Sequence, residues 1–174
     1  MKKFILLFTT IIAANLGNAQ VDVITKHSGE TVNGKVIRLE EYTVVFRYDG
    51  EDAEYTIGKY AIEKIVYGKS GRIEEVTEKI VVNGEKDWEK VVILEDKAFT
   101  AGLKKSEEVR GKTGLINFQT GNTGDKKAEK KLKMAAAALG CPFILLTSDV
   151  TTVGANSNTI GGSQAIKKGI AYKY

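Results

Sequence analysis

Apolar and polar residues alternate along residues 21–67, and this alternation predicts a series of short β-strands. In the third run Val44, Phe46 and Tyr48 fall on one face, as in a strand with one buried side. Asp49-Gly50 follows directly and is a strong hairpin signal. Five short strands joined by short turns are typical of a small barrel or a rolled sheet, which hides exposed strand edges. The predicted strands are residues 21–25, 31–39 and 43–48, a run around Tyr55 and Ile57, and residues 61–67.

Residues 88–174 combine strand-like apolar runs with one helical pattern. Apolar residues recur at helical spacing over 125–139, where Thr123 or Asp125 can cap the start and Gly140 can end the helix. Residues 149–163 are rich in Gly, Asn, Ser and Thr and predict a long loop or a loose hairpin. The predicted strands are residues 91–94, 109–116, 143–147 and 165–174.

Together these patterns predict an α+β fold. A small β-barrel or rolled sheet over residues 20–70 is followed by an α/β unit over 88–174, with one main helix on a sheet. Glycines punctuate the joint between the two units, residues 71–87, and residues 72–82 have room for one more strand.

The first 19 residues have the pattern of a signal peptide. Lys2 and Lys3 precede an apolar stretch over 4–16, and the small residues Gly17 and Ala19 flank Asn18 before the expected cleavage site. We expect cleavage after Ala19, which makes the protein exported, periplasmic or secreted. The alternative is a short N-terminal anchor helix, but the stretch is shorter than the roughly 20 apolar residues that span a bilayer. No membrane span is expected in the mature chain.

The charge of the chain is divided unevenly between its two halves. Residues 20–97 carry 12 Lys and Arg against 17 Asp and Glu, a net charge of −5, whereas residues 98–174 carry 12 against 5, a net charge of +7. Part of this positive charge lies on the predicted helix, where it could bind a polyanion or an acidic protein surface. The alternative is an ordinary solvated helix face. The candidate contact residues are Lys126, Lys127, Lys130, Lys131 and Lys133.

Few residues are suited to catalysis or metal binding. One Cys and one His in 174 residues cannot form a closed zinc site, and no cofactor or metal site is predicted. Cys141 is either buried or paired with another chain, and its apolar surroundings favour burial. His27 is expected to be a solvent-exposed turn residue, which leaves a serine nucleophile without a base. We therefore expect no enzymatic activity, although residue counts leave a pair of catalytic carboxylates open.

Two further motifs have simpler interpretations. Gly111-Lys112-Thr113 ends like a phosphate-binding loop, but Ser106 stands where that loop needs a glycine, so nucleotide binding is not expected. The acidic turn of Asp49, Glu51 and Asp52 could hold calcium weakly, and a solvated hairpin tip is the alternative.

The N-terminal unit resembles the Sm-like and SH3-like small barrels. Residues 27–37 (HSGETVNGKVI) look like the opening of such a fold, with Gly34 where its second strand bends, and residues 61–67 look like its final strand. Asn33-Gly34 as an ordinary hairpin turn is the alternative. The same unit resembles exported proteins of Gram-negative bacteria whose role is unassigned. The residues that carry this second resemblance are Gly29, Val32, Gly34, Val36, Ile62, Lys64, Ile65 and Tyr67.

The second unit is similar to a small α/β domain of bacterial envelope proteins. These proteins include the Rcs stress-sensor lipoprotein and a family named for heavy-metal binding. The chain lacks the lipid-bearing Cys and ends in Lys173-Tyr174 where the sensor group often has Cys, so neither lipidation nor a disulfide carries over. The matching residues are Leu132, Ala135, Ala136, Ala137, Leu139 and Gly140, then Ile144, Leu145 and Leu146, and finally Gly169, Ile170, Ala171 and Tyr172.

These features predict an exported, non-enzymatic envelope protein that acts through protein interaction or assembly. Its expected partner is another envelope protein or a second copy of the chain. The alternative is a binder of a small ligand or a polyanion through the lysine-rich helix face. Nucleic acid is not an expected partner, because the Sm-like unit is acidic and phosphate binding needs a basic surface.

Overall fold

A computed structural model describes residues 21–114, 121–153 and 163–174 of the chain. Over these residues the fold is α+β, with ten β-strands in two sheets and one long α-helix packed on the second sheet. The predicted class of fold is thereby confirmed. The predicted signal peptide lies outside the described residues.

The first sheet consists of the alternating runs in the N-terminal part of the chain. Its six strands are antiparallel to their neighbours in the order β4-β3-β2-β1-β5-β6. A single 3-10 turn, Lys59–Ala61, joins the fourth strand to the fifth. The strands are β1 (Asp22–Lys26), β2 (Thr31–Leu39), β3 (Thr43–Tyr48), β4 (Tyr55–Gly58), β5 (Ile62–Val66) and β6 (Ile73–Glu75).

One buried apolar cluster stabilises this sheet, and the first five strands all contribute to it. Alternate residues of each strand point to the same face, so the cluster follows from the two-residue period of the sequence. The edge strands β4 and β6 are not paired with each other in the described ranges, so hydrogen bonds do not close the sheet there. A closed barrel therefore stays a prediction. The buried residues are Ile24, Val32, Val44, Phe46, Ile57, Ala61, Ile62 and Ile65.

Gly34 lies where β2 and β3 approach closely. A Cβ atom at Gly34 would stand 2.2 Å from the backbone oxygen of Arg47, so any other residue would force the strands apart. Strand β2 continues without a break through Asn33 and Gly34. The alternative of a hairpin turn at these two residues is therefore wrong.

The second sheet has four strands in the order β7-β9-β10-β8. Strands β7 and β9 run parallel, and the other neighbours are antiparallel. The two long strands β9 and β10 form its centre. The strands are β7 (Val92–Leu94), β8 (Lys104–Lys112), β9 (Phe143–Val153) and β10 (Ser163–Lys173).

Helix α1 (Gly121–Ala138) covers one face of the second sheet. Its buried positions Leu132 and Ala136 join Val109, Ile144 and Cys141 in one core. The Cys141 side chain is fully buried and forms no disulfide, which confirms the prediction of burial. The helix lies so close to β8 that a Cβ atom at Gly111 would stand only 1.9 Å from the Ala128 carbonyl oxygen.

A third cluster joins the two sheets. Phe143 and Tyr172, on the face of the second sheet opposite α1, contact Tyr60 and Phe99. The chain between the sheets also takes part, because the Gly58 amide donates to the Ala101 carbonyl over 2.9 Å. The predicted first and second units are thus in direct contact through apolar side chains and backbone.

Some predicted boundaries differ from the structure. The edge strand β8 starts at Lys104, not at residue 109, and the predicted residues 115 and 116 lie outside the described ranges. Helix α1 starts at Gly121, so neither Thr123 nor Asp125 is its cap. Gly140 has a φ of +65°, a conformation that commonly ends helices, which fits the predicted end. The predicted loop 149–163 is strand at both ends, and its middle lies outside the described residues.

Candidate functional site

A groove of about 990 Å³ lies at one end of the first sheet and is the main candidate site. It lies where β1 begins and where β3 and β5 end, next to the turns that follow these two strands. Such a volume is at the upper end of the range for ligand pockets, roughly 300–1,000 Å³. The groove is therefore large enough for a small ligand or a short peptide segment.

Asp22 holds the base of the groove together. Its Oδ2 atom accepts the Val36 amide and its Oδ1 atom accepts the Gly68 amide, each over 2.9 Å. One carboxylate thus ties the start of β1 to the middle of β2 and to the start of the segment after β5. These two contacts use Asp22 as a fixed acceptor for backbone groups, which makes its role structural.

Arg47 on β3 is the most unusual side chain of the groove. Its terminal nitrogens lie 4.0 Å from Asp52 Oδ1 and 3.7 Å from Glu54 Oε1, distances at the weak end of ion pairing. Its Nε atom is buried and has no hydrogen-bond partner among the described residues. A buried donor left unsatisfied costs about 1–3 kcal/mol. The Arg47 side chain is nevertheless 36% exposed, so its terminal nitrogens can meet a ligand.

A second cation faces Arg47 across the strand pair. Lys35 on β2 is the direct register partner of Arg47 on β3, and both line the groove. Like charges directly opposite in an antiparallel pair are destabilising. The pair therefore favours a ligand with a negatively charged group.

Tyr67 and Arg72 form another part of the lining. The Arg72 guanidinium lies 4.4 Å from the centre of the Tyr67 ring, within cation–π distance. The Tyr67 hydroxyl donates to Glu74 Oε2 over 2.9 Å. Burial first, and then the contact with Glu74, raise the pKa of Tyr67, so the hydroxyl keeps its proton at neutral pH.

Exposed aromatic area adds an apolar part to the groove. The Tyr48 ring stands edge-on to Phe46 at 5.0 Å and to Tyr55 at 4.9 Å between centroids. Tyr48 nevertheless keeps 38% of its surface exposed. Aromatic area beside cations suits a ligand that combines apolar groups with an anionic group.

The groove is a basic spot in an acidic half of the chain. It is lined by four cations, Lys35, Arg47, Lys69 and Arg72, and by three carboxylates, Asp22, Asp49 and Glu51. Sequence reasoning missed it, because the net charge of a unit does not show which charges meet. The signal that was present is the register of the β2–β3 hairpin, which places Lys35 opposite Arg47.

The five helix lysines that were predicted as contact residues have different neighbours in the structure. The Lys130 ammonium lies 4.8 Å from the centre of the Trp88 ring, and Lys133 pairs with Glu129 at 3.3 Å. Lys131 turns toward the sheet and donates to the Lys112 carbonyl over 3.0 Å. Lys126 and Lys127 are both exposed.

His27 is buried, which corrects the expectation of an exposed turn residue. Its Nε2 atom lies 3.0 Å from Thr77 Oγ1, and its ring packs against Tyr174. Both neighbours come from distant parts of the chain, so the local turn signal could not show this burial. The residue fills a structural position between β1 and the segment after β6.

The acidic turn that follows β3 interacts with neighbouring side chains. Glu51 Oε2 accepts the Tyr55 hydroxyl over 2.7 Å, and Asp52 is the distant ion-pair partner of Arg47. Over residues 21–114, 121–153 and 163–174, no three His, Cys, Asp or Glu side chains converge in a way that could hold a metal ion. In the same ranges, no helix is both long and apolar enough to cross a membrane.

Comparison with known proteins adds no relative to this picture. The chain matches no family model, no curated protein and no solved structure. The resemblances to Sm-like and SH3-like barrels, to exported Gram-negative proteins and to the α/β envelope domain therefore stay predictions. The functional argument rests on the groove and on the charged surfaces of the chain itself.

Proposed function

We propose that the protein is an exported, non-enzymatic binding protein of the bacterial envelope. Its groove in the first sheet would hold a segment of a partner protein that carries a carboxylate. The observation that carries this proposal is the cross-strand pair of groove-lining cations, Lys35 and Arg47, in which Arg47 is held by only two long ion-pair contacts. A carboxylate can accept from Arg47 and lie near the Lys35 ammonium at the same time.

The remaining groove residues support a binding role over catalysis. Asp22 is engaged by two backbone amides, and the Tyr67 hydroxyl is engaged by Glu74. Groups held in this way position a groove and do not move protons. The apolar area of Tyr48 would pack against the uncharged part of the bound segment.

The proposal can be tested by crosslinking in cells of the source organism. A photo-reactive residue would replace Tyr48 in the full chain, and captured proteins would be identified by mass spectrometry. We expect Arg47→Met to abolish capture of a specific envelope protein. The matched control is Arg38→Met, which removes an exposed arginine that also pairs with Glu54 but does not line the groove.

Stability measurements separate loss of binding from loss of folding. Arg47→Met removes a buried, unsatisfied donor, so we expect its melting temperature to equal or exceed that of the wild type. Equal capture by both variants would contradict the proposal. Stabilisation of the wild type by a small carboxylate, without any captured protein, would instead favour the small-ligand alternative.

Export is a separate part of the proposal and has its own test. The basic and apolar pattern of residues 1–19 supports it. We expect cell fractionation to place the protein outside the cytoplasm, and N-terminal sequencing to begin at Gln20. Recovery of the unprocessed chain from the membrane fraction would instead support the anchor helix.

We further propose that the first sheet is rolled in the manner of a small barrel. Support comes from its single apolar cluster, to which each of the first five strands contributes. Slow hydrogen exchange at the outer amides of β4 and β6 would support the rolled sheet, and fast exchange there would contradict it.

A further inference from the structure

The second sheet carries a pair of cations on the face opposite helix α1. Val109 lies in the core with the helix and Gly111 lies against Ala128, so the intervening Arg110 faces away from α1. Arg110 is the direct register partner of Lys168 on β10. Both residues are exposed.

Arg110 and Lys168 differ in their surroundings from Lys167, a lysine of the same sheet that is buried and ion-paired. The adjacent Lys167 points to the helix side and pairs with Asp125 and Asp149. In the described part of the chain, neither Arg110 nor Lys168 has a carboxylate within ion-pair distance, although Glu108 lies two residues before Arg110 on β8. Like charges directly opposite destabilise a strand pair, so the two residues leave a local positive field that no ion pair among the described residues neutralises.

The positive surface continues around the edge of the sheet. Lys112 follows Arg110 on the same face of β8, and Lys131 of the helix reaches the Lys112 carbonyl from the other face. Lys127 lies one helical turn before Lys131 and is exposed. These five residues form a basic strip that crosses the β8 edge: Lys127, Lys131, Lys112, Arg110 and Lys168.

The shape of the basic strip restricts its partner. A flat bilayer cannot contact both faces of a sheet edge at once, whereas a flexible chain can follow the edge. On the face of the second sheet opposite α1, the cluster around Phe143 packs against the first sheet. The open surface around Arg110 and Lys168 therefore ends in a step where the first sheet begins. A linear polymer fits such a surface better than a plane of lipid headgroups.

The apolar neighbours of the basic strip distinguish between linear polymers. Ile166 is the register partner of Lys112, and Val150, which is 49% exposed, is the partner of Ile166. These side chains are aliphatic, whereas proteins that bind single-stranded nucleic acids stack bases on aromatic rings. We propose that the basic strip binds an anionic polysaccharide, with the cations meeting its carboxylate groups.

The test uses the mature chain and a fluorescently labelled polymer of galacturonic acid. Binding would be measured by fluorescence anisotropy at about 50 and 200 mM salt, since charge-driven binding weakens as salt rises. The competitors would be the unlabelled polymer of galacturonic acid, dextran, single-stranded DNA and phosphatidylglycerol vesicles. We expect only the free acidic polysaccharide to compete well.

Two triple variants with the same change in net charge give the decisive comparison. We expect Arg110→Gln/Lys112→Gln/Lys168→Gln to weaken binding by about tenfold or more, since each removed charge contact reduces affinity and its salt dependence. The control Lys126→Gln/Lys130→Gln/Lys133→Gln removes helix lysines outside the basic strip, and we expect less than about a twofold change.

Three outcomes would overturn the proposal: equal weakening in both variants, absence of polysaccharide binding, or stronger competition by DNA or vesicles. The first would show an effect of net charge only. Circular dichroism would confirm that both variants fold, and we expect the strip variant to be at least as stable as the wild type because a repulsive pair is gone. The result is independent of the Arg47 groove.

Discussion

The rings of His27 and Tyr174 meet edge-on, with 4.9 Å between their centroids. His27 directly follows β1, and Tyr174 follows β10, so this contact joins the two sheets. The Tyr174 hydroxyl also accepts the Ile80 amide over 3.0 Å, and the Lys79 ammonium lies 5.5 Å from the Tyr174 ring. The contact is thus part of a junction of three distant chain segments.

We expect this junction to make the protein less stable in acid. Burial lowers the pKa of His27 below its ordinary value of 6.5, and nearby Lys79 acts in the same direction against the opposing effect of Glu63. A lowered pKa means that the folded state favours neutral His27, so its stabilising effect is present above pH 6.5 and is lost as pH falls through the folded-state pKa. Melting temperatures from about pH 7.5 to about pH 5 would show the loss.

The variant His27→Gln separates this effect from the titration of the carboxylates. Gln can keep a hydrogen bond to Thr77 and does not titrate. We expect its melting temperature to fall less than that of the wild type over the same range of pH. Parallel curves for the two proteins would contradict the role given to His27.

Lys167 and Lys168 are neighbours in sequence, but Lys167 is buried and ion-paired whereas Lys168 is exposed. This difference gives a second prediction. Burial opposes the charge of Lys167, but hydrogen bonds to Asp149 and Asp125 outweigh burial and raise the pKa of Lys167. Its side chain is only 6% exposed. We expect Lys167→Met to lower the free energy of unfolding by about 1–2 kcal/mol, since two half-exposed carboxylates lose their partner and can regain water.

Lys168→Met is the matched control for Lys167→Met. Lys168 is exposed and faces Arg110, so its removal relieves repulsion, and we expect a change within about 0.5 kcal/mol or a slight gain. Urea unfolding of both variants would measure the difference. Similar losses in the two variants would show that the contacts of Lys167 with Asp125 and Asp149 do not stabilise the fold.

Gly111 gives a third prediction through the close approach of the helix to β8. A methyl group there would stand 1.9 Å from the Ala128 carbonyl oxygen, so helix or strand must move. We expect Gly111→Ala to cost about 1–3 kcal/mol or to prevent folding. The comparison is Gly29→Ala, where a Cβ atom meets nothing within 4 Å and only the φ of +89° opposes the change.

The expected loss for Gly29→Ala is about 1 kcal/mol, the usual cost of a left-handed conformation for alanine. Thermal unfolding would rank the two variants. A larger loss at Gly29 than at Gly111 would contradict the close packing of α1 on the second sheet.

Local patterns could predict much of the fold. Alternation with one buried face is a local signal, and it predicts strands over residues 31–39 and 43–48, the same bounds that β2 and β3 have. The sequence pattern predicts a start of β8 that is five residues too late, because only Val109 and Gly111 of its nine residues are buried. An edge strand with one face on a helix and charges elsewhere carries almost no hydrophobic pattern.

The candidate sites could not be predicted in the same way, because they depend on register between strands. The groove depends on Lys35 lying opposite Arg47, and the basic strip depends on Arg110 lying opposite Lys168. Arg110 and Lys168 come from strands separated by the helix and by β9, so no window of sequence contains both. The sequence does show the lysine-rich helix. It does not show which of the helix lysines belong to the basic strip and which make other contacts.

The apolar cluster between the sheets gives a fourth prediction. The Phe143 ring lies 5.3 Å from Tyr60 and 5.4 Å from Tyr174, and the residue is fully buried. We expect the two sheets to unfold together in urea, with coincident transitions by Trp88 fluorescence and far-UV circular dichroism. We expect Phe143→Ala to lower the free energy of unfolding by about 3–5 kcal/mol. Two separate transitions would show that the sheets fold independently.

The position of β10 has a consequence for the order of folding during synthesis. This strand lies between β8 and β9, and the ladder of β8 runs along β10 alone within the described strands. A growing chain that has not yet reached residue 163 therefore has β8 without its neighbour and α1 without the part of its platform that β10 supplies. Pairing of this long range is slow compared with local hairpins. The second sheet would thus stay open until residues 163–173 have been synthesised, and this delay would suit the proposed export of a chain that is not yet compact.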